Sequence, residues 1–190
     1  MNFAIVGATG NVGRKTIKIL EKSKLKINNL FLVASKRSAG KKIFFKRKKI
    51  KIEALENYDF SKATITFFAA GSIIAKKWAS IAAKQTIVID NSKHFRMDKN
   101  IPLVVPEVNG SALKNYKKTN IIANPNCSTA QLVVVLKPLH DKFKIKRVVV
   151  STYQAVSGAG KAPMDELFSQ TKDFLNGKKI KSKNFTKQIA

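Results

Sequence analysis

The chain has 190 residues and a hydrophobic fraction of 44%, enough for one large domain, or one domain and part of another. Its single cysteine, Cys127, excludes an internal disulfide, and with His94 and His140 as the only histidines no structural zinc set can be assembled, which fits a reducing cytoplasm. A formal charge of +26 is the footprint of a nucleic-acid binder, but only five of the 37 cations are arginines; lysines spread along every segment suit tolerant surface positions better than base readout.

No specific nucleic-acid partner is therefore expected. The densest basic run, Lys46 to Lys51, lies between two predicted strands and reads as a solvated hairpin that touches phosphates at most nonspecifically. MNFAIVGATGNVG lacks a charged leader and breaks its apolar run at Gly7, so it is not a secretory signal. No apolar stretch approaches the length needed to span a bilayer, and a soluble, cytoplasmic protein without membrane contact is expected.

Asn2 to Val6 reads as a strand, followed by Gly7, Thr9, Gly10, Asn11, Val12 and Gly13 and then an amphipathic helix with Ile17, Ile19 and Leu20. Glycines at every third position between a strand and a helix are a variant of the dinucleotide fingerprint, in which the backbone turns tightly and approaches a pyrophosphate at a helix N-terminus. The second strand, Leu30 to Ala34, lacks the terminal acid that holds an NAD ribose; Ser35, Lys36, Arg37 and Ser38 follow instead. Two cations and two hydroxyls suit a 2′-phosphate, and the alternative is a basic surface loop.

Lys42 to Phe45 and Ile50 to Ala54 form a predicted hairpin, and Ala63 to Ala70 a strand ending at Gly71 and Ser72, small enough to abut a cofactor. Ile73 to Lys84 is a predicted helix that buries Ile73, Ile74, Trp78, Ile81 and Ala82, and Thr86 to Ile89 the next strand. This alternation predicts a doubly wound parallel sheet. Arg96, in the polar loop after Asp90, Asn91 and Ser92, either grips a phosphate or carboxylate or forms a surface ion pair with Asp98.

Ile121 to Ala123 is a short strand broken by Asn124 and Pro125, after which Cys127 opens an apolar helical segment that ends near Pro138. At a helix N-terminus the unpaired amides and the helix dipole favour a thiolate, and the same amides, with the Asn126 side chain, can hold an oxyanion. A lone cysteine is otherwise a small buried hydrophobe. Lys146 to Thr152 is a predicted strand leading to Gln154, Ser157 and Gly158, which suit substrate orientation and close cofactor approach, or an ordinary turn. Ala162 to Asn176 is a predicted amphipathic helix, and Gly177 to Ala190 a basic tail.

Taken together, GATGNVG at Gly7 to Gly13, SKRSAG at Ser35 to Gly40, VIDNSKHFRMD at Val88 to Asp98, VPEVN at Val105 to Asn109, NPNCSTAQ at Asn124 to Gln131 and STYQAVSGAG at Ser151 to Gly160 resemble the blocks of aspartate-semialdehyde dehydrogenase, in that family's order. The resemblance implies a Rossmann-like NADP-binding domain over 1–126. It also implies the start of an incomplete α+β catalytic and dimerisation domain of the glyceraldehyde-3-phosphate-dehydrogenase-like type over 127–190.

The implied reaction converts L-aspartate 4-semialdehyde and phosphate reversibly to 4-aspartyl phosphate, on the route to lysine, threonine and methionine. Carried over, Cys127 is the nucleophile, Gln154 orients substrate, Arg96 holds phosphate and Asn126 lines the site. Gly7, Thr9, Gly10, Asn11, Val12, Gly13, Arg37, Ser38, Gly71, Ser157 and Gly158 contact NADP. A homodimer is implied for the full-length enzyme. The family's catalytic histidine and its substrate-carboxylate arginine follow well downstream of the cysteine, and neither His94 nor His140 replaces the former, so the chain reads as an N-terminal portion with little activity alone. The alternatives are an N-acetyl-γ-glutamyl-phosphate reductase-like enzyme, whose family has NPGCYPT around its cysteine, and a noncatalytic basic Rossmann module that binds nucleic acid.

Overall fold

The computed structural model describes all residues, Met1–Ala190. The chain forms two compact units, Met1–Val148 and Val149–Ala190.

In the first unit the strands are β1 (Asn2–Val6), β2 (Asn29–Ala34), β3 (Lys42–Phe45), β4 (Lys48–Ala54), β5 (Ile65–Phe68), β6 (Ile87–Asp90) and β7 (Ile121–Ala123). They make one sheet in the order β3-β4-β2-β1-β5-β6-β7. Every pairing is parallel except that of the edge hairpin, β3 with β4. This is the doubly wound α/β sheet expected from the sequence.

The central strand shows why. β1 is NFAIV, almost wholly apolar, and its alternate residues serve opposite faces. Phe3 and Ile5 join Leu32, Ile52 and the α1 (Asn11–Lys22) residues Ile17 and Leu20 in one core layer. Ala4 and Val6 join Phe68, Val88 and the helix α2 (Ser72–Ala82) in the other.

The buried stripe of α2 differs from the expected one. Ala75, Ala79 and Ala82 face the sheet, whereas Ile73 is 85% exposed and Ile81 also faces solvent; Ile74 and Trp78 pack only at the flank. Three alanines at i, i+4 and i+7 let the helix axis approach closely, which a row of isoleucine and tryptophan would prevent.

After α3 (Pro106–Asn109) and a 3₁₀ stretch to Lys118, β7 leads into α4 (Cys127–Phe143), which continues through Pro138 rather than ending there. Proline lacks the N–H and removes one main-chain hydrogen bond, yet the helix continues past it. A Lys137–Asp141 ion pair spans the position, and the helix ends where Lys144 turns left-handed (φ 54°) and donates to the His140 carbonyl at 2.9 Å. The expected strand over Lys146–Thr152 is not formed. No other segment supplies a ladder, and Val148, Val149 and Val150 stay exposed.

In the second unit α5 (Lys161–Leu175) carries two buried polar side chains, Glu166 and Gln170, that fasten the basic tail. Glu166 accepts from the amides of Lys183 and Asn184, and Gln170 Oε1 accepts from the amides of Ile189 and Ala190. No helix is long and apolar enough to cross a membrane.

Candidate active site

Because β1, β2, β5, β6 and β7 run parallel, the loops that follow them emerge along one edge of the sheet, where open α/β sheets bind ligands. Most of the expected site residues lie in these loops.

The loop after β1 is the glycine turn. Gly7 has φ +88°, its amide donates to the Val33 carbonyl at 2.8 Å, and a Cβ there would lie 2.6 Å from the Ala69 carbonyl oxygen. A side chain on Gly13 would meet the Gly7 carbonyl oxygen at 2.2 Å, so α1 rests directly on the turn. Gly10 caps α1 without a side-chain hydrogen bond, and no acid sits in the first turn. An anion is therefore not opposed at that terminus. Thr9 accepts from Arg14 Nε through its carbonyl at 3.1 Å, while Asn11 and Val12 stand exposed at the helix start.

After β2, Ser35 begins a 3₁₀ turn, Lys36–Ser38, in which Arg37 is exposed and Ser38 buried. No carboxylate ends the strand. Gly71 follows β5 as the N-cap residue of α2. These features fit a dinucleotide: a turn with glycine at its two tightest approaches, a helix terminus free of acid, and a basic turn after the second strand.

The loops after β6 and β7 are tied to each other. Arg96 Nε donates to the Asn124 carbonyl at 2.9 Å and its Nη2 to the Asn91 carbonyl at 3.2 Å. Asn124 Nδ2 donates to Asn91 Oδ1 at 2.8 Å. Arg96 is thus a clamp between strand ends rather than the surface partner of Asp98, whose carboxylate accepts from the Asn100 amide. Beneath the clamp, Asp90 is fully buried. Its Oδ2 accepts from Ser92 Oγ at 2.6 Å, its Oδ1 has no partner, and burial pushes its carboxyl above the usual range against the pull of Ser92, His94 and Arg96.

Cys127 opens α4 and is exposed. Asn126 is the N-cap: its side-chain oxygen accepts from the Ser128 amide at 2.9 Å and lies 4.0 Å from Cys127 Sγ. That oxygen is committed to the cap, which leaves the side-chain nitrogen of Asn126 as a donor for a substrate oxygen. His140 lies 13 residues further along the same helix, roughly 20 Å by helical rise, and cannot serve this thiol as a base. His94 is exposed, with its ring edge-on to Phe95 at 4.5 Å. A cavity of about 300 Å³ under the second half of α4, lined by Val108, Leu136, His140 and Ile145 among others, includes neither Cys127 nor Arg96.

Gln154, Ser157 and Gly158 belong to the second unit. Ser157 and Gly158 form part of a 3₁₀ turn, Val156–Ala159, and Gln154 packs on it so closely that a Cβ on Gly158 would lie 2.0 Å from its Nε2. Two features escaped the sequence reading: the buried acid Asp90, which looked like an ordinary strand-end polar residue, and the Arg96–Asn124 tie. The block DNSKHFR carried a signal for the first alone, since an acid at a strand end with an arginine six residues on places unlike charges near each other.

A family profile described as "Semialdehyde dehydrogenase, NAD binding domain" matches residues 2–116. The chain belongs to the semialdehyde dehydrogenase family. The profile of the semialdehyde dehydrogenase dimerisation domain matches residues 136–190. Aspartate-semialdehyde dehydrogenase 2 of Vibrio cholerae is 49% identical over the whole chain, which covers 56% of that relative. Among solved structures, this semialdehyde dehydrogenase chain is similar to aspartate semialdehyde dehydrogenase II of Vibrio cholerae complexed with ASA (TM-score 0.94, 48% identity, all of this chain and 56% of the other). It is also similar to aspartate semialdehyde dehydrogenase with NADP from Candida albicans (TM-score 0.64, 31% identity, 76% of this chain and 48% of the other). The chain therefore spans little more than half the length of the Vibrio cholerae relatives.

Proposed function

We propose that residues 1–126 bind NADP and that residues 127–190 begin the catalytic and dimerisation part of an enzyme that oxidises L-aspartate 4-semialdehyde, with phosphate, to 4-phospho-L-aspartate. The observation that carries this is Cys127: an exposed thiol at the N-terminus of α4, joined through Asn124 and Arg96 to the sheet edge that bears the glycine turn.

The chemistry follows from these positions. The Cys127 thiolate adds to the aldehyde carbon, and the first amides of α4 with the Asn126 side-chain nitrogen face the oxygen on which charge develops. When bound, NADP supplies the hydride acceptor that the oxidation requires. Gly7, Thr9, Gly10, Asn11, Val12, Gly13 and Gly71 would hold it, with Arg37 and Ser38 for its 2′-phosphate; Ser157 and Gly158 are assigned to it by the family resemblance alone. Phosphate held by the free face of the Arg96 guanidinium attacks the acyl carbon, and the Cys127 thiolate leaves. Gln154 orients the substrate.

His140 stands too far along α4 to serve Cys127, and the resemblance assigns the base to a histidine well downstream of the cysteine; taking the hydroxyl proton of the thiol adduct is worth about a hundred- to ten-thousandfold in rate. Residues 1–190 alone are therefore expected to bind NADP weakly and to form NADPH slowly, in a phosphate-dependent manner, from the semialdehyde. An unchanged rate in Cys127→Ala, or one indifferent to phosphate, rules the assignment out. A rate equal to that of the full-length relatives removes the missing-base argument. The phosphorylating route to lysine, threonine and methionine, a cytoplasmic location and a homodimer of the full-length protein complete the proposal, supported by the Vibrio cholerae relatives and the dimerisation-domain match.

A further inference from the structure

The densest charge on the molecule lies outside this site, in the hairpin at the sheet edge. Lys41 to Lys51 holds seven cations and no acid. In the β3–β4 register, Lys42 faces Lys51 and Phe44 faces Lys49, and such cross-strand pairs share one face of the ribbon. That face is the outer one. Lys42, Lys49 and Lys51 are exposed and Phe44 is 61% exposed, whereas Phe45 on the other face is buried and Ile43 and Ile50 pack on the core. Lys49 Nζ stands 5.2 Å from the centre of the Phe44 ring.

Three details go beyond an edge strand guarded by lysines. Directly opposed like charges such as Lys42 and Lys51 weaken a hairpin, yet the register keeps them together. The two-residue turn is left-handed at both positions, Lys46 (φ 45°) and Arg47 (φ 67°), where Asn-Gly would fit without strain. Both cations thus crown the tip, where Glu21 is the nearby acid and accepts from the Lys46 amide. Finally, a large aromatic ring stands mostly exposed among the lysines, with Lys49 over one side, where a polar residue would serve solubility better.

We infer that this outer face binds single-stranded nucleic acid without sequence preference. Phe44 is a stacking platform for one base, and Lys42, Lys49 and Lys51, with the tip cations, track the phosphates. Lys49 and Lys51 lie about 6.8 Å apart along the strand, a spacing comparable to the step of an extended single strand. Any base can stack on Phe44, and no hydrogen-bonding edge reader is present on the face, so affinity is expected to depend on salt and not on sequence.

The test is fluorescence anisotropy of a labelled oligo(dT) of about 15 nucleotides, a length on the order of one single-strand site, titrated with the 190-residue chain over a range of salt. With five phosphates neutralised, the slope of log affinity on log salt is expected near −3.5, roughly −0.7 per phosphate. The triple variant Lys42→Ala, Lys49→Ala, Lys51→Ala leaves the two tip cations and brings that slope to about −1.4. Phe44→Ala weakens binding roughly tenfold with the slope unchanged. A charge-matched control, Lys114→Ala, Lys117→Ala, Lys118→Ala, lies beside β7 at the opposite sheet edge and leaves both quantities as they were. Far-ultraviolet circular dichroism confirms that each variant is folded. No binding, equal loss from the two triple variants, displacement of the oligonucleotide by NADP, or tighter association with anionic vesicles than with oligo(dT) each overturns the inference.

Discussion

Arg96 Nε donates to the main-chain carbonyl of Asn124, three residues ahead of Cys127, at 2.9 Å. The loop after one strand thereby fixes the end of the next and the start of the helix that carries the thiol. Arg96→Lys supplies a point charge that cannot hold two carbonyls and still present a planar face to an anion. Phosphate affinity by calorimetry is expected to fall about tenfold or more, and stability in urea by about 1–2 kcal/mol. Unchanged values for both would show that the clamp is incidental.

Gly13→Ala tests the seat of α1. The added methyl meets the Gly7 carbonyl oxygen at 2.2 Å, so either the helix or the turn must move. The expected cost is about 1–3 kcal/mol in urea unfolding, accompanied by loss of NADP binding. Ile19→Ala on the exposed face of the same helix changes neither. Retention of NADP binding by Gly13→Ala would detach the turn from the cofactor.

Asp90 makes a prediction about pH. Burial raises its carboxyl in the folded state, so between the unfolded value, about 3.9, and the folded one the native protein binds more protons than the unfolded chain. Its contribution to stability therefore falls as pH rises through that window and is flat above it. Asp90→Asn cannot ionise and keeps an oxygen for Ser92. Relative to the unsubstituted chain, it is expected to gain stability as pH rises from about 4 to neutrality. Chemical denaturation at a series of pH values checks this, and a difference that does not vary with pH refutes it.

Glu166 behaves in the opposite sense. Hydrogen bonds from the Lys183 amide, and then from Asn184, hold its carboxyl below the usual range, so the stabilisation is present above the unfolded value and lost as pH falls through the folded one. The tail is expected to stay on α5 at neutral pH and to leave in acid. Glu166→Gln has one acceptor oxygen for donors from Gln170, Lys183 and Asn184, and frees the tail at neutral pH. Faster trypsin cleavage at Lys181 and Lys183 in the variant checks this; equal cleavage sinks it.

The sheet was legible because β1 and its parallel neighbours are short apolar runs between glycine, asparagine and proline breaks, and local pattern alone specifies such elements. The face of α2 was not, because isoleucine and tryptophan look more buried than alanine until the closeness of the sheet selects the smallest residues. Pro138 read as an end because proline is a breaker locally, whereas the Lys137–Asp141 pair across it is visible only once the helix exists. The Val148–Val150 run read as a strand, but a strand exists only beside a partner. At the site, the cysteine and the glycine turn announce themselves by residue type and spacing. The Arg96–Asn124 tie joins residues 28 apart through a side chain and a carbonyl, and no local spacing reports it.

The contact between α1 and the glycine turn has one more consequence. The oxygen of Gly7 that seats the helix belongs to the same loop that is proposed to accept a pyrophosphate, and on that reading coenzyme affinity and thermal endurance share their atoms and cannot be adjusted separately there. Arg37 stands clear of that seam, exposed on a different turn. If Arg37 meets the ribose phosphate as proposed, one nicotinamide nucleotide can be exchanged for the other there, leaving the seat of the helix untouched.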